Sequence, residues 1–123
     1  MTIHEAIAKI DVLKPNKYGY AEKINWISNL DGVIKREIID THEGGENIVF
    51  NGYSEDTDIN TILLVPAPYD DIYVRYLEMQ IDYLNGETNK YSNSFILYNK
   101  MYVNFCNYYN RNYIPKGAIL KFL

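Results

Sequence analysis

Residues 70–111, DDIYVRYLEMQIDYLNGETNKYSNSFILYNKMYVNFCNYYNR, decide the fold. In the first half, Asp71, Arg75, Glu78, Asp82 and Asn85 fall at spacings of 4, 3, 4 and 3, one narrow polar stripe along a helix over residues 70–85. The other flanks carry Ile72, Tyr73, Val74, Tyr76, Leu77, Met79, Ile81, Tyr83 and Leu84. A helix apolar over most of its circumference needs cover on several sides. In the second half, Tyr91, Phe95, Tyr98, Tyr102, Phe105 and Tyr109 recur at 4, 3, 4, 3 and 4, an aromatic seam on a helix over residues 87–111. Leu97, Met101 and Tyr108 flank it, and Asn93, Lys100, Asn104, Asn107 and Arg111 lie opposite. Asn85–Gly86 ends the first helix, and so short a link makes the two an antiparallel hairpin.

Upstream, Thr2 and Glu5 fit a capping box, and Ile3, Ala6, Ile7, Ile10 and Leu13 give one apolar face to a helix over residues 3–13, stopped by Pro15. Ile24, Ile27, Leu30, Ile34 and Ile38 predict a second helix over residues 21–40, with Gly32 offering close approach to another backbone. Residues 41–68 then form a long loop, with turn signals at Gly44–Gly45 and Asn51–Gly52 and acidic residues Glu55, Asp56 and Asp58. Its runs 48–50 and 62–65 suit strands of one small hairpin, and Pro66-Ala67-Pro68 suits an extended approach to the third helix. The expected class is mainly α: a four-helix domain of two helical hairpins over residues 1–112, with the long loop or small β-hairpin at its centre. An extended C-terminal arm follows over residues 113–123. Tyr113, Ile114, Pro115, Ile119, Leu120, Phe122 and Leu123 make that arm apolar enough to dock, on its own domain or on a partner.

With 123 residues, 47% hydrophobic and 23% charged, the chain has the balance of one folded domain. Its 13 tyrosines suit surfaces that are wet in one state and buried in another. Tyr73, Tyr76, Tyr83, Tyr98, Tyr102 and Tyr109 are the candidate contacts between subunits; rimming the core is the other role open to them. Net charge is −4 and the basic residues are scattered, a poor design for gripping phosphates. No apolar run approaches the length of a membrane span, nothing at the N-terminus resembles a signal peptide, and the lone Cys106 suits a reducing compartment. The expectation is a protein that stays in solution in the cytoplasm.

Sites of chemistry are not apparent. His4 and His42 stand in unrelated surroundings, no spacing fits zinc, and no phosphate-binding glycine loop is present. Asp56 and Asp58 lack the rest of a calcium loop. Glu78 and Asp82 read as a solvated pair, and Cys106 as a small buried hydrophobe. No cofactor or enzymatic role is expected.

The stretches NKYGYAEKINWISNLDGVIKREIIDTHEG (16–44) and LLVPAPYDDIYVRYLEMQIDYLNGETNKYSNSFILYNKMYVNFCNYYNRNYIPKG (63–117) resemble the head–tail connector (adaptor) family of tailed bacteriophages and prophages. The Pro-Tyr-Asp approach to the third helix and the Asn-Gly link to the fourth carry most of that likeness. The resemblance implies a virion neck protein, made in the host cytoplasm. It implies a ring, commonly of twelve copies, between the portal and a head-closure or tail-terminator protein, with DNA passing through unbound. The C-terminal arm would embrace the portal. Twelve copies at −4 each carry about −48, and an acidic channel lets DNA slide; Glu55, Asp56 and Asp58, or the Asp71–Asp82 stripe, are the expected lumen residues. Another head-completion or tail-terminator role is an alternative. So is a small DNA-packaging protein, for which Lys9, Lys14, Lys17, Lys35 and Arg36 are the available cations.

Overall fold

A computed structural model describes residues 1–117; the arm residues Ile119, Leu120, Phe122 and Leu123 lie outside the described residues. The chain is mainly helical, a four-helix domain: α1 (Ile3–Leu13), α2 (Tyr20–Ile34) continued by a π turn (Lys35–Ile39), α3 (Ile72–Leu84) and α4 (Thr88–Asn112). α3 is the centre, packing against α1, α2 and α4, with the α3–α4 hairpin the most extensive contact. The helix-spaced apolar residues of all four meet in one core with Leu63 and Val65 of the long loop.

The capping box at α1 forms as the residues dictate: the Glu5 N–H donates to Thr2 Oγ1 (3.1 Å) and the Thr2 N–H to Glu5 Oε1 (3.2 Å). Losing that side-chain acceptor in Thr2→Ala is expected to lower stability by about 1 kcal/mol in urea unfolding. Thr2→Ser, which keeps the hydroxyl, is expected to stay within about 0.5 kcal/mol of wild type; equal losses in the two would reject the cap as the cause.

The second helix ends in a way periodicity does not announce. The Asp40 N–H donates to the Lys35 carbonyl (2.8 Å), a bond spanning five residues. The widened turn places the consecutive residues Ile38 and Ile39 both in the core. It also brings Lys35 Nζ onto Asp40 and onto the Gly45 carbonyl. Gly45 packs so tightly on the Ile39 backbone that a Cβ there would collide with it. Gly32, expected to face another backbone, instead meets the ring of Phe50 at ordinary van der Waals distance. The close backbone approach belongs to Gly45.

No strand forms among the described residues; only two isolated antiparallel bridges occur, Thr2 with Ile62 and His42 with Pro115. The runs 48–50 and 62–65 therefore do not pair as a hairpin: the Ile48 N–H turns back to the Gly45 carbonyl, and residues 63–65 donate to Met1, Asp31 and Tyr73. The N–H groups of Ile3 and His4 donate to the Thr61 and Ile59 carbonyls, and that of Leu63 to the Met1 carbonyl. At Pro66-Ala67-Pro68 the chain turns instead of running extended: the Tyr69 N–H donates back to the Pro66 carbonyl (2.9 Å) and the Ala67–Pro68 peptide is cis.

Candidate assembly surface

The residues expected to form subunit contacts divide by position. Tyr73 is fully buried in the chain's own core, its hydroxyl committed to Asp31 (2.5 Å) while accepting the Val65 N–H (2.8 Å). Tyr109 is also buried, its ring edge-on to His42 at 4.8 Å. Neither offers surface to a neighbour, because each sits where its helix faces the rest of the domain. Tyr76, Tyr98 and Tyr102 are half-buried along the α3–α4 seam, with ring centroids 5.2 Å and 6.3 Å apart. Burial holds all three hydroxyls above the ordinary tyrosine range, and that of Tyr102 donates to Glu37 at 2.6 Å. Tyr83 is 65% exposed and continues the row to Tyr91 (5.6 Å), which in turn nears Phe95 (6.3 Å).

What remains uncovered is the face of α4 turned away from its neighbours, and α4 also outruns α3. α4 has 25 residues and α3 only 13, about 37 Å against about 20 Å. α4 buries Ser94, Phe105 and Tyr109: Ser94 meets Asp82 of α3, while Phe105 and Tyr109 lie past the end of α3, against Tyr69 and His42. Phe95, Ile96, Leu97 and Val103 stay exposed, Ile96 by 63%. At the end of the molecule where α3 turns into α4, Leu84 and Tyr83 are exposed. A groove of about 560 Å³ opens there, lined by residues of the turn. Val12 and Leu13 of α1 are exposed at the same end, since Lys14 reaches Asp82 on α3. Single exposed apolar residues also occur elsewhere, as at Val49 and Ile62, but at the α3–α4 turn and along α4 they are neighbours.

Two buried carboxylates brace these surfaces, and only the structure identifies both. Asp31 is 0% exposed and accepts from the Tyr53 hydroxyl (2.6 Å), the Tyr73 hydroxyl and the Leu64 N–H (3.2 Å), with no cation among these partners. Burial raises its pKa above the ordinary 3.8, against the lowering effect of those donors. Together with the Tyr53 N–H donated to Ser28 (2.9 Å), Asp31 pins the long loop to α2 and α3. The clue lay in the sequence: Asp31 is four residues after Ile27 and three before Ile34, inside the apolar stripe. Asp82, expected on a solvated face with Glu78, is instead 1% exposed and held by Lys14 Nζ and the Ser94 hydroxyl. Arg75 reaches Asp71 and Glu78 at 3.4 Å each, so the outer part of that stripe does form an ion-paired face.

Glu55, Asp56 and Asp58 are exposed on the loop, where Asp58 Oδ1 accepts the Asn60 N–H (2.9 Å) in a local turn. The described part of the arm lies against its own domain. Tyr113 stacks on Tyr109 (4.2 Å), the Glu43 N–H donates to the Ile114 carbonyl (2.8 Å) and the Lys116 N–H to the Thr41 carbonyl (2.9 Å). Ile114 keeps an exposed side chain and Pro115 forms the bridge to His42. Of the candidate nucleic-acid cations, Lys14 and Lys35 are committed to Asp82 and Asp40, leaving Lys9, Lys17 and Arg36 on the surface.

Burial raises the Cys106 thiol, which keeps it protonated. Among the described residues no group of three or more His, Cys, Asp or Glu is placed to hold a metal ion, and no helix is long and apolar enough to cross a membrane. No protein-family model, curated protein or solved structure matches the chain.

Proposed function

We propose that this chain is a structural assembly subunit: a ring-forming neck protein of a tailed bacteriophage that joins the portal to the next neck or tail component and lets DNA pass. The observation that carries the reading is the half-covered α4, with Phe95, Ile96 and Val103 exposed along it and Tyr83 and Leu84 exposed at the α3–α4 turn. A ring needs two different faces on each subunit, meeting heterologously and closing by rotation. The apolar flank and the apolar turn leave each subunit surface for such contacts. The sequence likeness to head–tail connectors supplies the setting, and the exposed Glu55, Asp56 and Asp58 supply groups that repel phosphate from a lumen. Pairing of Lys14 and Lys35 with carboxylates argues against the DNA-packaging alternative.

The test is electron microscopy and sedimentation of the purified full chain, alone and with its portal. Rings with an acidic lumen, seated on the portal, are the expected result. Ile96→Asp with Val103→Asp changes only exposed side chains, so the monomer's stability should move by less than about 1 kcal/mol while ring formation is lost. A chain that stays monomeric with and without portal, or rings with a basic lumen, would overturn the reading.

A further inference from the structure

One apolar groove of this chain and one apolar segment of its sequence start from opposite ends of α4. The first is the groove at the α3–α4 turn, lined by Tyr83, Leu84, Gly86 and Tyr91, with Glu87 at its rim and Asp82 beneath. Tyr83 and Leu84 are 65% and 48% exposed. The second is the sequence Ala-Ile-Leu-Lys-Phe-Leu at residues 118–123, four of whose six side chains are large and apolar.

Chain geometry limits where those six residues go. The chain reaches Gly117 from a pinned segment: Tyr113 stacks on Tyr109, and the Lys116 N–H is bonded to Thr41 beside His42, whose ring touches Tyr109. The starting point is therefore near the Tyr109 end of α4. Tyr91, at the groove, precedes Tyr109 by 18 residues on one continuous helix, about 27 Å along its axis. Leu84 and Gly86 precede Tyr91, at the far side of that groove. Six fully extended residues span at most about 22 Å. Ile119 and Leu120, two of the four apolar side chains, fall far shorter still.

We propose that the groove at the α3–α4 turn of one copy receives residues 119–123 of a second copy. This rests on the reading that the chain assembles with itself, and adds which two surfaces meet. Each removes from water apolar area that the other leaves exposed. Lys121, the only charged side chain in the segment, comes to a rim where Glu87 already pairs with Lys90, so the contact rests on its apolar residues. Because the groove and Gly117, from which the segment leaves, are at opposite ends of α4, the contact runs head to tail. That is the heterologous geometry from which closed rings are built.

The test uses full-length chains and a labelled peptide of residues 116–123. In fluorescence anisotropy the peptide should bind the wild type saturably, and Leu84→Asp should weaken it at least about tenfold. Two further variants separate the partners: Tyr83→Asp with Leu84→Asp blocks the groove, and Leu120→Asp with Phe122→Asp blocks the segment. Each should be monomeric alone by sedimentation, with the circular dichroism of the wild type. Mixed in equal amounts they should form a dimer and nothing larger, because one intact groove and one intact segment remain.

Peptide binding indifferent to Leu84→Asp overturns the proposal. So does a wild type that assembles while both double variants assemble equally well, which leaves the self-assembly reading standing. Segment variants that form normal rings yet lose the portal overturn it too, since they assign residues 119–123 to the portal. A monomeric wild type that ignores the peptide overturns both readings; one that binds it through Leu84 supports the contact and counts against assembly unaided.

Discussion

Replacing Asp31 by Ala is expected to lower the unfolding free energy by about 4 kcal/mol, among the largest effects of any single substitution in this chain. The carboxylate accepts from Tyr53, Tyr73 and Leu64 at once, so its removal leaves two hydroxyls and one backbone N–H without an acceptor. Each unsatisfied buried donor costs about 1–3 kcal/mol, and half-buried Tyr53 recovers part of its share from water. The loop should loosen before the helices do: faster amide exchange at Leu64 and Val65 than along α3 is the expected pattern. A loss under about 1 kcal/mol in urea unfolding would show that the loop is held by its apolar residues Leu63 and Val65 instead.

Asp31→Asn isolates the charge. Burial raises the folded pKa of Asp31 above the unfolded value near 3.8, so the native chain binds its proton more tightly than the unfolded chain does. Stability from this group is therefore fully present below the unfolded value and lost as pH rises through the folded one. The wild type should gain on Asp31→Asn as pH falls through that window. Glu5 and Glu87, whose pKa values are lowered chiefly by bonds to Thr2 and Lys90, act in the opposite sense but are common to both proteins. They cancel in the difference. A difference in melting temperature that does not vary with pH would reject a buried, titrating Asp31.

Lys14→Met is expected to cost about 3 kcal/mol, since it strands the charge of Asp82 in the interior with only the Ser94 hydroxyl for company. Asp82→Leu on top of Lys14→Met should restore most of that loss, because removing both charges also removes the need to desolvate them. The pair joins the end of α1 to α3 and sits under the groove at the α3–α4 turn. Lys14→Met should therefore weaken docking at the groove as well as stability, and the double variant should recover stability first. A double variant no more stable than Lys14→Met would mean that packing of the lysine stem, not its charge, is what matters.

Aromatic residues were legible as a seam but not as individuals. Tyr73 and Tyr83 both lie among the apolar flanks of the third helix, yet one is wholly inside and the other mostly outside. Which side of a nearly all-apolar helix faces the core depends on where its three neighbours sit, and one helix's periodicity does not contain that. Asp82 shows the converse. It belongs to a regular polar stripe and is buried all the same, because α1 ends with a lysine at the one place that neutralises it. Asp31 was not singled out from the sequence, although a carboxylate inside an apolar stripe has to be paired or bonded.

By itself, the sequence determined four helices, the cap on the first, the turn after Asn85 and the antiparallel hairpin, because these follow from spacing and from bonds between residues close along the chain. The tertiary structure alone decided the π turn at Lys35–Ile39 and the failure of the loop to form strands. It also decided the pairing of Asp82 with Lys14 and the docking of residues 113–117 on residues 41–43. Each of these depends on partners far away in the chain: the core draws in Ile38 and Ile39 together, and Asp31 and α1 take the hydrogen bonds a hairpin would have used. Local bonding is written in neighbours along the sequence; the choice among distant partners is made only when the helices pack.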